Sequence, residues 1–190
     1  MGIILAGGKS LRFGKDKALA FWEGKTFLER AVCRIREMTL EPVVVTSRSR
    51  DYSFLNCRVV SDIYPDKGPL GGLFTAVHLY PTHKLLVLTC DMPSVSAGLL
   101  RKLIETHLSR NILTVYSDRD HGIYPFPGIY EPSIKNWLKL RLEMGILSMT
   151  DLIREIADKM LIQINLLSPD FGNINTKAEF EKWAGKWEAA

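Results

Sequence analysis

The chain has 190 residues, of which 46 % are hydrophobic and 24 % charged, a balance that suits one globular domain over residues 1–190 and excludes a disordered polymer. No stretch reaches the ~18 apolar residues of a membrane-spanning helix, and residues 1–6 lack the cationic segment and cleavage site of a secretory signal; a cytoplasmic protein without membrane contact is expected. The formal charge of +4 is uneven, with ten Lys/Arg against five Asp/Glu in residues 1–50 and a near-neutral remainder, which points to an anionic partner near the start of the chain.

Gly2-Ile3-Ile4-Leu5-Ala6 is a short, β-branched run suited to a buried strand. Residues 7–18 hold Gly7, Gly8 and Gly14 among Lys9, Arg12, Lys15 and Lys17 without apolar periodicity, and read as a loop. Phe21 to Lys25 suits a hairpin tip, although Trp22 also lies near enough to border that loop. Thr26 with Glu29 forms a capping box, and Phe27, Leu28, Ala31, Ile35 and Met38 supply the apolar stripe of a helix. Pro42–Thr46 is a second buried strand, and a short element over 51–55 leads to a third strand over 57–60. A turn-rich loop over 61–70 precedes a helix over 71–80.

Residues 84–89 form the most apolar strand candidate; Ser96 caps a helix running to Leu108, and 112–116 is another strand. Alternating strands and helices with continuous apolar runs predict an α/β fold, a mostly parallel sheet covered on both faces in three layers. Over 123–130, Pro125 and Pro127 restrict any strand to an edge or an irregular path. Helices are predicted over 132–143 and 148–159, a late strand over 161–164, and a terminal helix from the Thr176/Glu179 capping box to Trp187. Trp137, Trp183 and Trp187 lie on amphipathic helices, as packing residues do. Cys33, Cys57 and Cys90 form no CxxC or zinc pattern and read as reduced core thiols.

In an open α/β sheet, ligands bind beyond the carboxyl ends of the strands, and three segments fall there. In Leu5-Ala6-Gly7-Gly8-Lys9-Ser10-Leu11-Arg12, the glycines let backbone amides approach a phosphate that Arg12 and Lys17 neutralise. The same residues also suit a tight turn with a solvated basic loop, and neither the P-loop nor the dinucleotide fingerprint is present. Asp91, in Thr89-Cys90-Asp91-Met92-Pro93, ends the most buried strand; it either meets a cation such as Mg²⁺ shared with phosphates or caps the next turn. In Asp62-Ile63-Tyr64-Pro65-Asp66-Lys67-Gly68-Pro69-Leu70-Gly71-Gly72, the glycines either approach a ring or phosphate or shape a helix entry. The basic residues lack interleaved aromatics, so no nucleic-acid footprint is expected.

Taken in order, LAGGKSLRFGKDKAL, D-x-x-P-x-x-GPLGG and TCDMP, followed by Pro125-Phe126-Pro127-Gly128-Ile129-Tyr130 and Asn173-Ile174-Asn175-Thr176, resemble the molybdenum cofactor guanylyltransferases of the MobA-like nucleotidyltransferase group. The resemblance covers residues 2–187. It implies a Rossmann-like nucleotidyltransferase fold and transfer of GMP from GTP to the phosphate of molybdopterin. Leu5, Ala6, Gly7 and Gly8 would then hold the nucleotide, together with Gly68, Pro69 and Leu70. Arg12 and Lys17 would contact the triphosphate, Asp62 the nucleoside, and Asp91 the Mg²⁺, with Asn173 and Asn175 near the metal or the pterin side. GTP, molybdopterin or the molybdenum cofactor, and a molybdoenzyme chaperone are the implied partners.

Phe13 replaces a methionine usual in that family, and Gly145-Ile146-Leu147-Ser148 lacks an arginine common before the serine. A molybdopterin cytidylyltransferase would show LAAG at residues 5–8, and a sugar-nucleotide pyrophosphorylase G-x-G-T-R. A catalytically silent adaptor that binds nucleotide for cofactor delivery would not require Arg12, Lys17 and Asp91.

Overall fold

The computed structural model describes residues 1–7, 17–47, 52–119 and 122–164. Strand β1 (Gly2–Leu5) is buried along its whole length. Its apolar run serves both faces, because successive side chains point to opposite sides of a strand: Ile3 and Leu5 enter one core, Ile4 and Ala6 the other. A hairpin of β2 (Phe21–Trp22) and β3 (Lys25–Thr26) turns through Glu23 and Gly24, both at positive φ, the handedness two-residue hairpins prefer. Helix α1 (Phe27–Glu37) follows with the expected capping box: Glu29 N donates to Thr26 Oγ1 at 3.1 Å and Thr26 N to Glu29 Oε2 at 2.7 Å. Arg30 stacks 3.8 Å above the Trp22 ring and donates to the Trp22 carbonyl at 2.9 Å, pinning the hairpin to the helix.

Strands β4 (Pro42–Thr46) and β5 (Arg58–Ser61) add in parallel to one side of β1. Helix α2 (Gly68–Leu79) then crosses back and delivers β6 (Leu85–Thr89) to the other side of β1. Helix α3 (Ala97–Thr106), capped by Ser96, leads to β7 (Leu113–Asp118), and β8 (Gly122–Tyr130) returns antiparallel between β6 and β7. Helices α4 (Lys135–Met144) and α5 (Met149–Glu155) precede β9 (Lys159–Gln163), which runs parallel to β7. The seven-stranded sheet has the order β5-β4-β1-β6-β8-β7-β9, and among the described residues β8 alone opposes the rest.

One core lies between the sheet and α2, α4 and α5, and the other between the sheet and α1 and α3. The three-layer α/β architecture is therefore the one expected. The chain builds outward from β1 first towards β5 and then towards β6. That reversal opens a crevice beyond the carboxyl ends of β1 and β6.

Three expectations are corrected, and one with two alternatives resolves: strand β8 lies inside the sheet and takes the irregular of its two expected paths. It is irregular, as its prolines require: pairing with β7 jumps from Val115↔Gly128 to Tyr116↔Tyr124, and β6 pairs only with 128–130, so Pro125 and Pro127 are never asked for a ladder N–H. Helix α2 begins at Gly68 and not at 71, because Pro69 fits a first turn whose N–H groups have no partner within the helix. Helix α5 stops at Glu155, before the predicted 159, because Ile156 turns extended and Ile112 N already bonds Asp158 O at 2.7 Å. Trp137 stands 37 % exposed with Leu140 and Met144, because α4 turns Leu138 and Leu142 inward. The predicted terminal helix, with Trp183 and Trp187, lies outside the described residues. Cys33, Cys57 and Cys90 are each half-buried thiols, and burial raises the Cys57 thiol.

Candidate active site at the switch point

The floor of the crevice is main chain held from both sides. Ala6 N donates to Val45 O at 2.8 Å, and Cys90 N to Leu5 O at 3.1 Å. Ser47 Oγ donates to Gly7 O at 2.9 Å. The side chains of Leu5 and Ala6 are buried, so only their backbone, with that of Gly7, is available to a ligand. Neither Thr46 nor Ser47, which fasten this turn, is apparent as a site residue from the sequence, since each is a lone hydroxyl after an apolar strand.

Lys17 opens a 3-10 turn (Lys17–Leu19) whose Ala18 is locked into the core. Its ammonium reaches Asp91 Oδ2 at 3.1 Å, with side-chain exposures of 10 % and 24 %. Asp91 is carried by the turn after β6, where Met92 N donates to Thr89 O at 3.4 Å and the Met92 side chain is buried. Asp91 Oδ1 is buried and meets no hydrogen-bond partner among the described residues. A buried carboxylate oxygen left this way is costly. It is also the kind of donor a hard divalent cation takes, in a site completed by phosphate oxygens and water. Among the described residues no group of three or more His, Cys, Asp or Glu is arranged to hold a metal; it is the buried Asp91 Oδ1 that fits a cation bound through one carboxylate and shared with substrate.

Asp62 sits on the other flank. Its N–H donates to Thr46 O at 2.9 Å, which ties the turn after β5 to the end of β4. Three inter-strand steps of about 4.8 Å separate β5 from β6, so Asp62 and Asp91 flank a floor on the order of 14 Å wide. Asp62 Oδ1 accepts from the Thr75 hydroxyl at 2.7 Å and from Tyr64 N at 3.0 Å. Burial raises its carboxyl pKa, and these two hydrogen bonds hold it down.

Gly68, Pro69 and Leu70 form the first turn of α2. Leu70 is fully buried, which leaves backbone alone for binding. At Gly71 a Cβ would stand 2.6 Å from Tyr64 O, so the loop folds onto the helix only because no side chain is there. The structure thus brings Lys17 and Asp91 into contact beside Leu5–Gly7 and sets Asp62 with the start of α2 across the floor. Gly8, Arg12, Asn173 and Asn175 lie outside the described residues. Thr75 went unnoticed in the sequence because a lone threonine in an apolar helix passes for packing.

The MobA-like NTP transferase domain model matches residues 2–158. A probable molybdenum cofactor guanylyltransferase from Flavobacterium johnsoniae is 34 % identical over 83 % of this chain and 82 % of its own length. Another protein so named, from Carboxydothermus hydrogenoformans, is 32 % identical over 94 % and 92 %. In fold, the molybdopterin-guanine dinucleotide biosynthesis protein A of Archaeoglobus fulgidus superposes with a TM-score of 0.80 at 19 % identity, covering 100 % of both chains. Among the described residues no helix is long and apolar enough to cross a membrane. With a doubly wound sheet, an acid–lysine pair at its switch point and a family match over most of its length, the chain belongs to the MobA-like NTP transferases, a family of nucleotidyltransferases.

Proposed function

We propose that this protein transfers GMP from GTP to the phosphate of molybdopterin and releases pyrophosphate. The observation that carries the reading is the Lys17–Asp91 pair beside the glycine-containing strand end, with Asp91 Oδ1 unsatisfied among the described residues. The relatives' names supply the substrate class, and Leu5-Ala6-Gly7-Gly8 in place of LAAG favours guanylyl over cytidylyl transfer.

The chemistry suits these residues. Attack of one phosphate on another brings anions together, so the protein's task is charge neutralisation and alignment. The attacking phosphate is already ionised at neutral pH, so no side chain has to remove its proton. Lys17, on a turn anchored by Ala18, neutralises the α-phosphate region in this reading, with Arg12 assigned the same role. The backbone of Leu5–Gly8 and of Gly68–Leu70 holds the nucleotide, and Asp62 takes the nucleoside. A divalent cation such as Mg²⁺, when bound, neutralises phosphate oxygens, and Asp91 would hold it; Asn173 and Asn175 are assigned to the metal or the pterin side.

The test is pyrophosphate release by purified protein with GTP, Mg²⁺ and molybdopterin, with CTP in parallel. GTP is expected to support turnover and CTP to be a poor substitute. Faster turnover with CTP would overturn the guanylyl reading, and nucleotide binding without turnover would favour an adaptor for cofactor delivery to molybdoenzymes and their chaperones.

A further inference from the structure

The hydroxyl of Thr75 lies wholly inside the protein, on the second turn of α2, with the residue fully buried. It accepts from Ile63 N at 2.9 Å and donates to Asp62 Oδ1 at 2.7 Å. A hydroxyl has one proton to give, and here the backbone N–H of Ile63 takes an acceptor lone pair, which leaves the proton for the carboxylate. Tyr64 N also donates to Oδ1 at 3.0 Å. Both donors therefore converge on one oxygen of Asp62. The other oxygen, Oδ2, is turned towards Gly71, where a Cβ would stand 3.3 Å from it. Helix, loop and carboxylate are joined through one buried hydroxyl.

We propose that Thr75 is a positioning residue for nucleotide binding: by fixing Oδ1 it sets the side-chain rotamer of Asp62, so that Oδ2 is presented as a preoriented acceptor for N–H or O–H donors of the nucleoside. This rests on the assignment of Asp62 to the nucleoside. Without the Thr75 hydroxyl the carboxylate retains, among the described residues, Tyr64 N alone, and a freely rotating acceptor binds less well because its ordering must then accompany binding. Thr75 touches no substrate; it acts through Asp62.

The experiment measures GTP dissociation constants by calorimetry, and KM and kcat where turnover is available, for the parent and for Thr75→Val, Thr75→Ser, Asp62→Asn and the Thr75→Val/Asp62→Asn double variant. Thr75→Val is expected to weaken GTP binding about tenfold, as for a lost hydrogen bond to a charged group, with kcat within about twofold. Thr75→Ser, which keeps the hydroxyl, is expected to restore parental affinity. The double variant is expected to bind no more weakly than Asp62→Asn, since residues acting through one another are not additive. If Thr75→Val does not fold, Thr75→Cys, with a weaker donor on a similar frame, replaces it. Weak binding by Asp62→Asn with full binding by Thr75→Val overturns the proposal and leaves the Asp62 assignment standing. Full binding by Asp62→Asn removes Asp62 from the nucleoside site and the proposal with it.

Discussion

Asp91 meets two different surroundings through its two oxygens. Oδ2 lies 3.1 Å from the Lys17 ammonium, whereas buried Oδ1 has no hydrogen-bond partner among the described residues. Replacing Asp91 with Asn keeps the volume and removes the charge that would attract a cation. Pyrophosphate release is expected to fall at least a hundredfold, on the order of the several kcal/mol a bound metal contributes, while a thermal melt confirms folding. Activity within threefold of the parent would take Asp91 out of the mechanism.

Asp62 shows the opposite balance. Burial raises its pKa despite the Thr75 and Tyr64 hydrogen bonds. An acid with a higher pKa folded than unfolded holds its proton more tightly in the native state. Stability therefore declines as pH rises from the unfolded value through the folded one, and the full deficit stands above the folded value. Asp62→Asn removes that deficit, so at pH 7 its Tm is expected at or above the parental value even as GTP binding weakens. A lower Tm would show that the charge supports the loop and not the ligand. Stability given up at a binding residue is the usual signature of function.

At the scale of elements, most of the secondary structure is legible in local chemistry. The capping box of α1 was visible as Thr26 and Glu29, and both reciprocal hydrogen bonds are present. Thr26→Ala is expected to cost about 1 kcal/mol, read as a fall in Tm of roughly 2–4 °C; no shift would mean that solvent serves the helix start equally well. Proline reports a missing donor without reporting position, which left an edge and an irregular path both open to β8; inside the sheet the strand bulges where the prolines fall. Gly128 closes that bulge, with a Cβ at its position 2.8 Å from both Pro125 O and Val115 Cγ1. Gly128→Ala is accordingly expected to destabilise by about 1–3 kcal/mol through overpacking, measured by urea unfolding.

Across the whole molecule, the crevice and the scaffold occupy opposite ends of the sheet. Near the amino end of β7, the buried ring of His107 stands 2.8 Å from Thr114 Oγ1 and 2.9 Å from Glu131 Oε1, and Lys84 stands 3.7 Å from the same carboxylate oxygen. This network joins the end of α3 to β7 and to the end of β8, with no strand-end loop of the candidate site involved. His107→Leu is expected to lower stability by about 1–3 kcal/mol, as buried polar groups lose their partners, while the GTP dissociation constant of the folded fraction stays unchanged. A parallel loss of affinity would show that the two ends of the sheet are coupled.

The amino-acid sequence by itself determined the fold class, because periodic burial and caps are local properties that each segment carries alone. It also determined the family, because its glycine, lysine and aspartate motifs occur in a recognisable order. It could not determine which side chains meet. That Lys17 lies against Asp91, that Oδ1 is left without a partner among the described residues, and that the Thr75 hydroxyl donates to Asp62 depend on strand order and helix crossing. Those contacts join residues 74 and 13 positions apart, and only the packed sheet sets such distances. The basic surplus of the first fifty residues suggested an anionic partner near the start of the chain; the reversal between β1 and β6 is where two loops must diverge and leave backbone uncovered.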